Sequence, residues 1–552
     1  MVKLLGKISK IWNFFRNPSV IIFSVVIIFI YGVYLFSYNR IAGDAASHLL
    51  LAVSPILKIG VPYKDFWEIK PPVWPFILYL WTSVFGFKIL SIRILNLIVA
   101  ALVVIIGRLI YKKVLITPVF EMVFIFTMVV TFSPILYSYM FLPTELLGLL
   151  LSMFALVSLM FFKNDFNKFY WSGFLFLAAS QTKEPFTFCV LAVMPVLLET
   201  LLKRGFGSFI KNTSQFLLGI ISGVLILYLY LSSFGSVNAY MQVFQYKQRF
   251  FRFTYEKLVQ NFMPGFSAAE RTFTEFSYGL LFISILAILM FLLANKFRKN
   301  LKFNSKLQRL ESAPLIVLDK DSLNKYVVLL YAIGSFLGFG LGGSYGQHYL
   351  IQIVFPFYLL LGVILSYIFR EVSFLAAKPK IYLIPAIVIF LFSILITLPK
   401  RQYFLSFLPY ATTNRNFVMN DDIAGFERRM AELTTEDQCV LSVYGWGASE
   451  NYLYSERRPC TRFFLANIVK EGWQNNEYAQ SILNNPPAAI YYRTNASDMD
   501  VGKFESEVID ISNIIKNCYV EDTVENVIYI PKIKNDDEGL KRCIKSSSGI
   551  EG

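Results

Sequence analysis

The sequence has 552 residues, 56% of them hydrophobic, 17% aromatic and only 16% charged, a balance that excludes an ordinary soluble domain and places the chain among polytopic helical membrane proteins. Its net charge of +15 is unevenly held: from Lys400 on there are 17 Lys and Arg against 22 Asp and Glu, and in the preceding 399 residues 35 against 15. The excess base therefore sits in short loops between apolar runs, where the positive-inside rule expects it, and nucleic acid is excluded as a partner.

A membrane span needs about 20 apolar residues. In chain order the candidates are 19–38, 88–110, 115–137, 142–162, 169–185, 186–202, 213–233, 276–296, 325–341, 349–369 and 379–398, eleven in all. The run 19–38 is followed by polar residues without a small-residue cleavage site, so it reads as a retained helix rather than a cleaved signal. With Lys3, Lys7, Lys10 and Arg16 in the cytoplasm, the alternation puts Lys112 and Lys113, "KNDFNK", "LKRGFGSFIKN", "KFRKNLKF" and "REVSFLAAKPK" on the cytoplasmic side as well. The linker 297–324 is basic, polar and without strong periodicity, and reads as a partly disordered connector.

Residues 71–86 are apolar too, but as a helix they reach only about 24 Å, short of the roughly 30 Å hydrocarbon core, and they contain Pro71, Pro72 and Pro75. Counting them as a span would invert every later loop. They are expected to form an interfacial helix on the outer leaflet, with a second one over residues 44–57. The outer face then collects residues 39–87, the "YMFLPTE" turn, the loop 234–275, "GGSYGQHY" and the tail from about Leu398.

Charge is scarce at membrane depth and costly there, so by default it faces a cavity and has a function. The outer-face candidates are Asp44, Asp65, Glu68, Lys70, Glu145, Lys183, Glu184, His348 and Tyr349. Asp44 opens a helix, where a carboxylate can simply favour the helix dipole; beside "PYKDFWEIKPP" it also fits a general base. Lys70 is either a lysine snorkelling to the lipid surface or the cation that receives charge developing on a phosphate. Pro71 and Pro72 disfavour helix at Lys70 and would present it at a fixed helix start. Glu145 follows "LPT" at the start of a span, as a helix-start carboxylate or a ligand. Lys183, in "QTKEP", interrupts two apolar halves, a break tolerated at that depth only beside protein or a wet cavity. Asp65 and Glu68 either solvate their loop or join the site. His48 and His348 are the only histidines, and without metal-ligand spacing no catalytic metal is expected.

The tail alternates strand-like and helix-like segments, "CVLSVYG", "ASENYLYS", "CTRFF", "YAQSILNN", "AAIYYR" and "NVIYIPK", as a small α/β domain would. The expected division is a membrane domain over 1–398 and an extracytoplasmic α/β domain over 399–552. Cys439, Cys460, Cys518 and Cys543 are even in number, compatible with two disulfides in an oxidising compartment; pairing Cys439 with Cys460 and Cys518 with Cys543 is one of three connectivities, and buried free thiols are the other reading. No Walker or Rossmann glycine motif occurs, so no nucleotide cofactor is expected.

"GDAASHLLLAVSPILKIGVPYKDFWEIKPPVWPFILYLWTSVFG" resembles the first extracytoplasmic loop of bacterial family-39-like GT-C glycosyltransferases, relatives of protein O-mannosyltransferases and lipid A aminoarabinose transferases. "FLPTE", "QTKEP", "GQHYLIQIVFPF", "VYGWGASENYLYSERRP" and "NNPPAAIYY" follow in order. The resemblance implies a multi-pass enzyme of the bacterial inner membrane, with two juxtamembrane helices and a polyprenyl-phosphate-linked sugar donor on the outer side. It carries the catalytic acid to Asp44, donor-phosphate contact to Lys70, and the acidic and basic positions of later spans to Glu145 and Lys183. Asp44 is followed by Ala45 where several relatives have a second acid, and Asp65 is the candidate replacement. The reaction expected is inverting transfer to a hydroxyl of an envelope glycan, lipid or protein. A transporter or lipid flippase, or a non-catalytic assembly scaffold, are the alternatives, although charges gathered at one face without repeated halves do not suit a transporter.

Overall fold

The structure is a computed structural model that describes residues 43–114, 144–250, 320–341, 351–353, 355–357, 359–360, 425–443, 448–464, 472–492, 509–533 and 536–548. Contacts divide the chain into two compact units. One holds the described residues of Leu95–Leu225 and Phe253–Phe417, the other those of Tyr38–Ile94, Ile226–Arg252 and Val418–Gly552.

The helices in chain order are α1 (Gly43–Leu57), α2 (Val73–Phe85), α3 (Ile89–Val114), α4 (Thr144–Phe161), α5 (Asp165–Ser180), α6 (Met194–Arg204), α7 (Phe206–Ser233), α8 (Val237–Phe250) and α9 (Lys320–Leu341), with a 3₁₀ segment at Glu184–Val193 leading into α6. Among the described residues five helical stretches are long and apolar enough to cross a membrane: Leu90–Tyr111, Thr144–Phe161, Glu184–Arg204, Phe206–Ser233 and Leu323–Gly340. The chain is therefore a multi-pass helical membrane protein. The expected spans 19–38, 115–137, 276–296 and 379–398 and the connector 297–324 lie outside the described residues, as does most of 349–369. Where a span was expected at 169–185, the helix covers 16 residues, Asp165–Ser180, opened by Asn164, whose side chain accepts the Asn167 amide. Thirteen-residue α2 is too short to span. It stops at Gly86, whose φ of +75° suits glycine, with the Gly86 N–H bonded to Thr82 O.

The first unit is held by small residues that let helices touch. An added Cβ at Gly334 would lie 2.1 Å from the Phe188 carbonyl oxygen, and one at Gly338 2.1 Å from that of Pro185. Glycines four apart on α9 thus seat the backbone of the 3₁₀ segment, a small-residue packing common between membrane helices. Buried hydroxyls add polar links: Ser152 Oγ lies 2.8 Å from Tyr331 Oη, and Gln352 Nε2 donates to Ser335 O at 3.3 Å.

In the second unit α1 packs against α2. Beyond residue 425 come α10 (Gly425–Leu433), β1 (Cys439–Val443), α11 (Ala448–Ser455), β2 (Arg458–Pro459), α12 (Gly472–Asn484), β3 (Ala489–Tyr492), α13 (Ile511–Cys518), β4 (Tyr519–Glu521), β5 (Ile528–Pro531) and α14 (Asp537–Ser547). The sheet order is β2-β1-β3-β5-β4. β1 runs parallel to β2 and β3, while β5 is antiparallel to β3 and β4. All five residues of β1 are buried, as for a strand covered on both faces. "CTRFF", expected as a strand, forms none. The chain bends after the two-residue β2, whose neighbour Cys460 is joined to Cys439 of β1; Cys518 is joined to Cys543. Helix α11 packs on α1, and Tyr452 Oη on α11 accepts the Ser442 amide of β1 at 2.8 Å.

Candidate functional site

Position 44 is the second residue of α1, where a carboxylate meets the positive end of the helix dipole. The Asp44 side chain lies outside the described residues, as do His348 and Tyr349 entirely. Position 47 follows one turn later on the same helix face. Lys70, 23 residues on and across the loop, brings its Nζ to 3.5 Å from Ser47 Oγ. His48 is buried in the same helix.

The loop between α1 and α2 fixes Lys70 through its backbone. Tyr63 adopts φ +63°, a left-handed conformation that costs a bulky residue of order 1 kcal/mol or more and persists only where surroundings impose it. Here they do: the ring is fully buried, packs edge-on against Tyr240 of α8 at 5.1 Å, and its hydroxyl donates to the Lys70 carbonyl at 3.0 Å. Burial, reinforced by neighbouring tyrosines and Glu68, pushes the phenol well above its usual pKa, so the donated proton stays in place. From α8, Lys247 Nζ donates to the Ile69 carbonyl at 2.8 Å. Both carbonyls flanking the Lys70 Cα are thereby held.

Asp65 closes its own loop: Oδ2 accepts the Val61 amide at 2.7 Å, while the Asp65 amide donates to Val61 O at 2.9 Å. Glu68 is only 1% exposed, and its Oε2 has no hydrogen-bond partner among the described residues. Trp67, fully buried, meets Tyr246, Phe463 and Trp473 at ring distances of 6.0, 5.4 and 5.6 Å.

The first unit holds its own charged pair. Lys183 Nζ lies 2.9 Å from Glu145 Oε1, with the side chains 12% and 1% exposed, and Thr144 Oγ1 donates to Glu145 Oε2 at 3.2 Å. The "QTKEP" break makes the pairing possible. α5 ends at Ser180, Lys183 is extended (φ −156°, ψ 127°), and the 3₁₀ segment restarts with Pro185 in its first turn. Gly148, one turn after Glu145, admits the Phe186 ring, for a Cβ there would lie 2.4 Å from Phe186 Cε2. Glu184 belongs to the first turn of that segment. Among the described residues no three His, Cys, Asp or Glu side chains gather as a metal site would require.

Sequence reasoning missed Tyr63 within the loop between α1 and α2, and as its neighbours Ser47, Lys247 and Arg462, whose carbonyl accepts the Trp67 amide. Only Ser47 carried a local signal, its one-turn spacing from Asp44.

No family model matches the chain, and no curated protein matches it. The solved structures to which the chain is similar include two of ArnT. The crystal structure of ArnT from Cupriavidus metallidurans bound to undecaprenyl phosphate is 12% identical over 85% of this chain and 89% of that one, with a TM-score of 0.48. The apo ArnT structure is 11% identical over 96% of this chain and 99% of that one, also with a TM-score of 0.48.

Proposed function

We propose that this chain is a membrane glycosyltransferase of the GT-C type that moves a sugar from a polyprenyl-phosphate donor to an acceptor hydroxyl on the outer face of the bacterial inner membrane. One observation supports this above the rest: the Lys70 ammonium approaches α1 at Ser47, one helical turn from position 44. Position 44 and the residue that Lys70 reaches, Ser47, thus share one face of α1, which supports reading the two as base and phosphate-binding cation of one site.

In the proposed reaction the Asp44 carboxylate takes the proton of the attacking hydroxyl, and the acceptor oxygen bonds to the anomeric carbon opposite the departing phosphate. The C–O bond to phosphate breaks, the electron pair stays with the phosphate oxygen, and the anomeric configuration inverts. Lys70 meets the charge that develops there, an interaction stronger in the transition state than before it. General-base assistance is worth roughly 10² to 10⁴ in rate.

Glu145 and Lys183 enter the proposal as a pair rather than as two separate ligands. With the carboxylate at the ammonium, Lys183 offers a phosphate less net charge than an unpaired lysine would. The spans outside the described residues, the cytoplasmic N-terminus and the extracytoplasmic tail belong to the same reading. Oxidised cysteine pairs in the tail support the oxidising side of the membrane.

The test is to incubate the purified full-length protein with polyprenyl-phosphate sugars extracted from bacterial membranes and with envelope glycans, lipids and proteins, and to follow products by mass spectrometry. The proposal expects an acceptor gaining one sugar with release of polyprenyl monophosphate. Lipid moved across a bilayer without chemical change would instead establish a flippase, and neither outcome a scaffold.

A further inference from the structure

The segment Trp67–Lys70 is gripped at its far end by one residue from beyond β2. Arg462 accepts the Trp67 amide on its carbonyl at 2.7 Å, and its guanidinium carbon lies 4.9 Å from the Trp67 ring centroid. The same guanidinium lies 5.1 Å from Phe463 and 5.8 Å from Trp473. Its plane is fixed by hydrogen bonds as well. Nη2 donates to Glu477 Oε2 at 2.7 Å, with Nε 2.6 Å from Glu477 Oε1, and Nη1 donates to Gln242 Oε1 at 3.1 Å. Arg462 is also two residues past Cys460, which is covalently joined to β1.

We propose that Arg462 is a positioning residue for the donor site, acting on Lys70 through Trp67; this rests on the reading of Lys70 as the phosphate-holding cation. Lys70 lies three residues beyond Trp67, about 10 Å when extended. Tyr63 and Lys247 hold the carbonyls near Lys70, whereas the Trp67 end is held by Arg462 through both backbone and side chain. Releasing that end lets the segment shift, and displacement of a binding group by about 1 Å is costly to a phosphate contact. Only arginine suits the place: a planar fork reaches Glu477 and Gln242 while its face lies on the indole, which a lysine ammonium cannot do at once.

The experiment measures affinity for a long-chain polyprenyl monophosphate, by competition with a fluorescent analogue, in full-length protein purified in detergent. The parent is compared with Lys70→Ala, Arg462→Ala, Arg462→Lys and the Lys70→Ala/Arg462→Ala double variant. The expectation is that Arg462→Ala weakens binding about tenfold, within the roughly 10²-fold that a misplacement of about 1 Å can cost, that Arg462→Lys weakens it nearly as much, and that the double variant binds no more weakly than Lys70→Ala alone. Parent-like binding by Arg462→Ala, or losses that multiply in the double variant, overturns the proposal while leaving the role of Lys70 intact. Parent-like binding by Lys70→Ala overturns the reading of the site and this inference with it. Should Arg462→Ala not fold, Arg462→Lys keeps the charge and completes the same cycle with Lys70→Ala.

Discussion

Lys70 illustrates what a single residue can and cannot disclose. Its residue type, next to two prolines and among carboxylates, already suggested a cation held at a fixed place; that it would reach Ser47 of α1 depended on a loop conformation invisible in composition. Tyr63 in a left-handed conformation is such a feature, since nothing in "VPYKDF" asks a tyrosine to adopt it. Two substitutions follow at this scale. Lys70→Ala lowers both donor affinity and turnover in the transfer assay, whereas Lys70→Arg retains part of each, because it keeps the charge but offers a planar fork in place of a point charge. Tyr63→Phe removes a donor to the Lys70 carbonyl and costs about 1 kcal/mol in the thermal unfolding of the full chain, with a loss of donor affinity smaller than that of Lys70→Ala. Asp65, the candidate for part of the role of a missing second acid, also uses Oδ2 to close its loop on Val61.

At the level of elements, periodicity and punctuation were informative. α2 begins after the paired prolines and ends at a glycine, and "QTKEP" divides two apolar halves. What the sequence hid was the pairing of helices, since Glu145 and Lys183 are 38 residues apart and meet because Gly148 leaves room for Phe186. Glycines that admit a side chain should differ from glycines that admit backbone. Gly148→Ala drives a Cβ into a ring that can turn, while Gly338→Ala drives one into the Pro185 carbonyl. Thermal unfolding of the detergent-solubilised protein should show the larger loss at Gly338, about 1–3 kcal/mol; the reverse order would mean that the 3₁₀ segment yields more easily than the Phe186 ring.

Over the whole molecule, apolar content and basic loops sufficed for a multi-pass helical protein, and alternation in the tail for mixed strands and helices. The contacts that join the first loop and α8 to residues beyond 418 link segments more than 150 residues apart, and local pattern carries no trace of them. One ion pair within the sheet region offers a pH test. Arg429 Nε and Nη2 donate to Asp522 at 3.0 Å each, and this guanidinium holds the Asp522 carboxyl below the usual carboxylate value. A depressed folded-state pKa contributes stability above the unfolded value of about 3.9 and loses it as pH falls through the folded value. Asp522→Asn should therefore lower the unfolding midpoint at pH 7, and the gap from the parent should close as the pH is taken down below about 4.

The account as a whole depends on a carboxylate at position 44 accepting the acceptor's proton, and turnover of Asp44→Asn measures this most directly. In the transfer assay the variant should lose at least about 10²-fold in turnover while binding polyprenyl monophosphate as the parent does. Parent-level turnover by Asp44→Asn would contradict it.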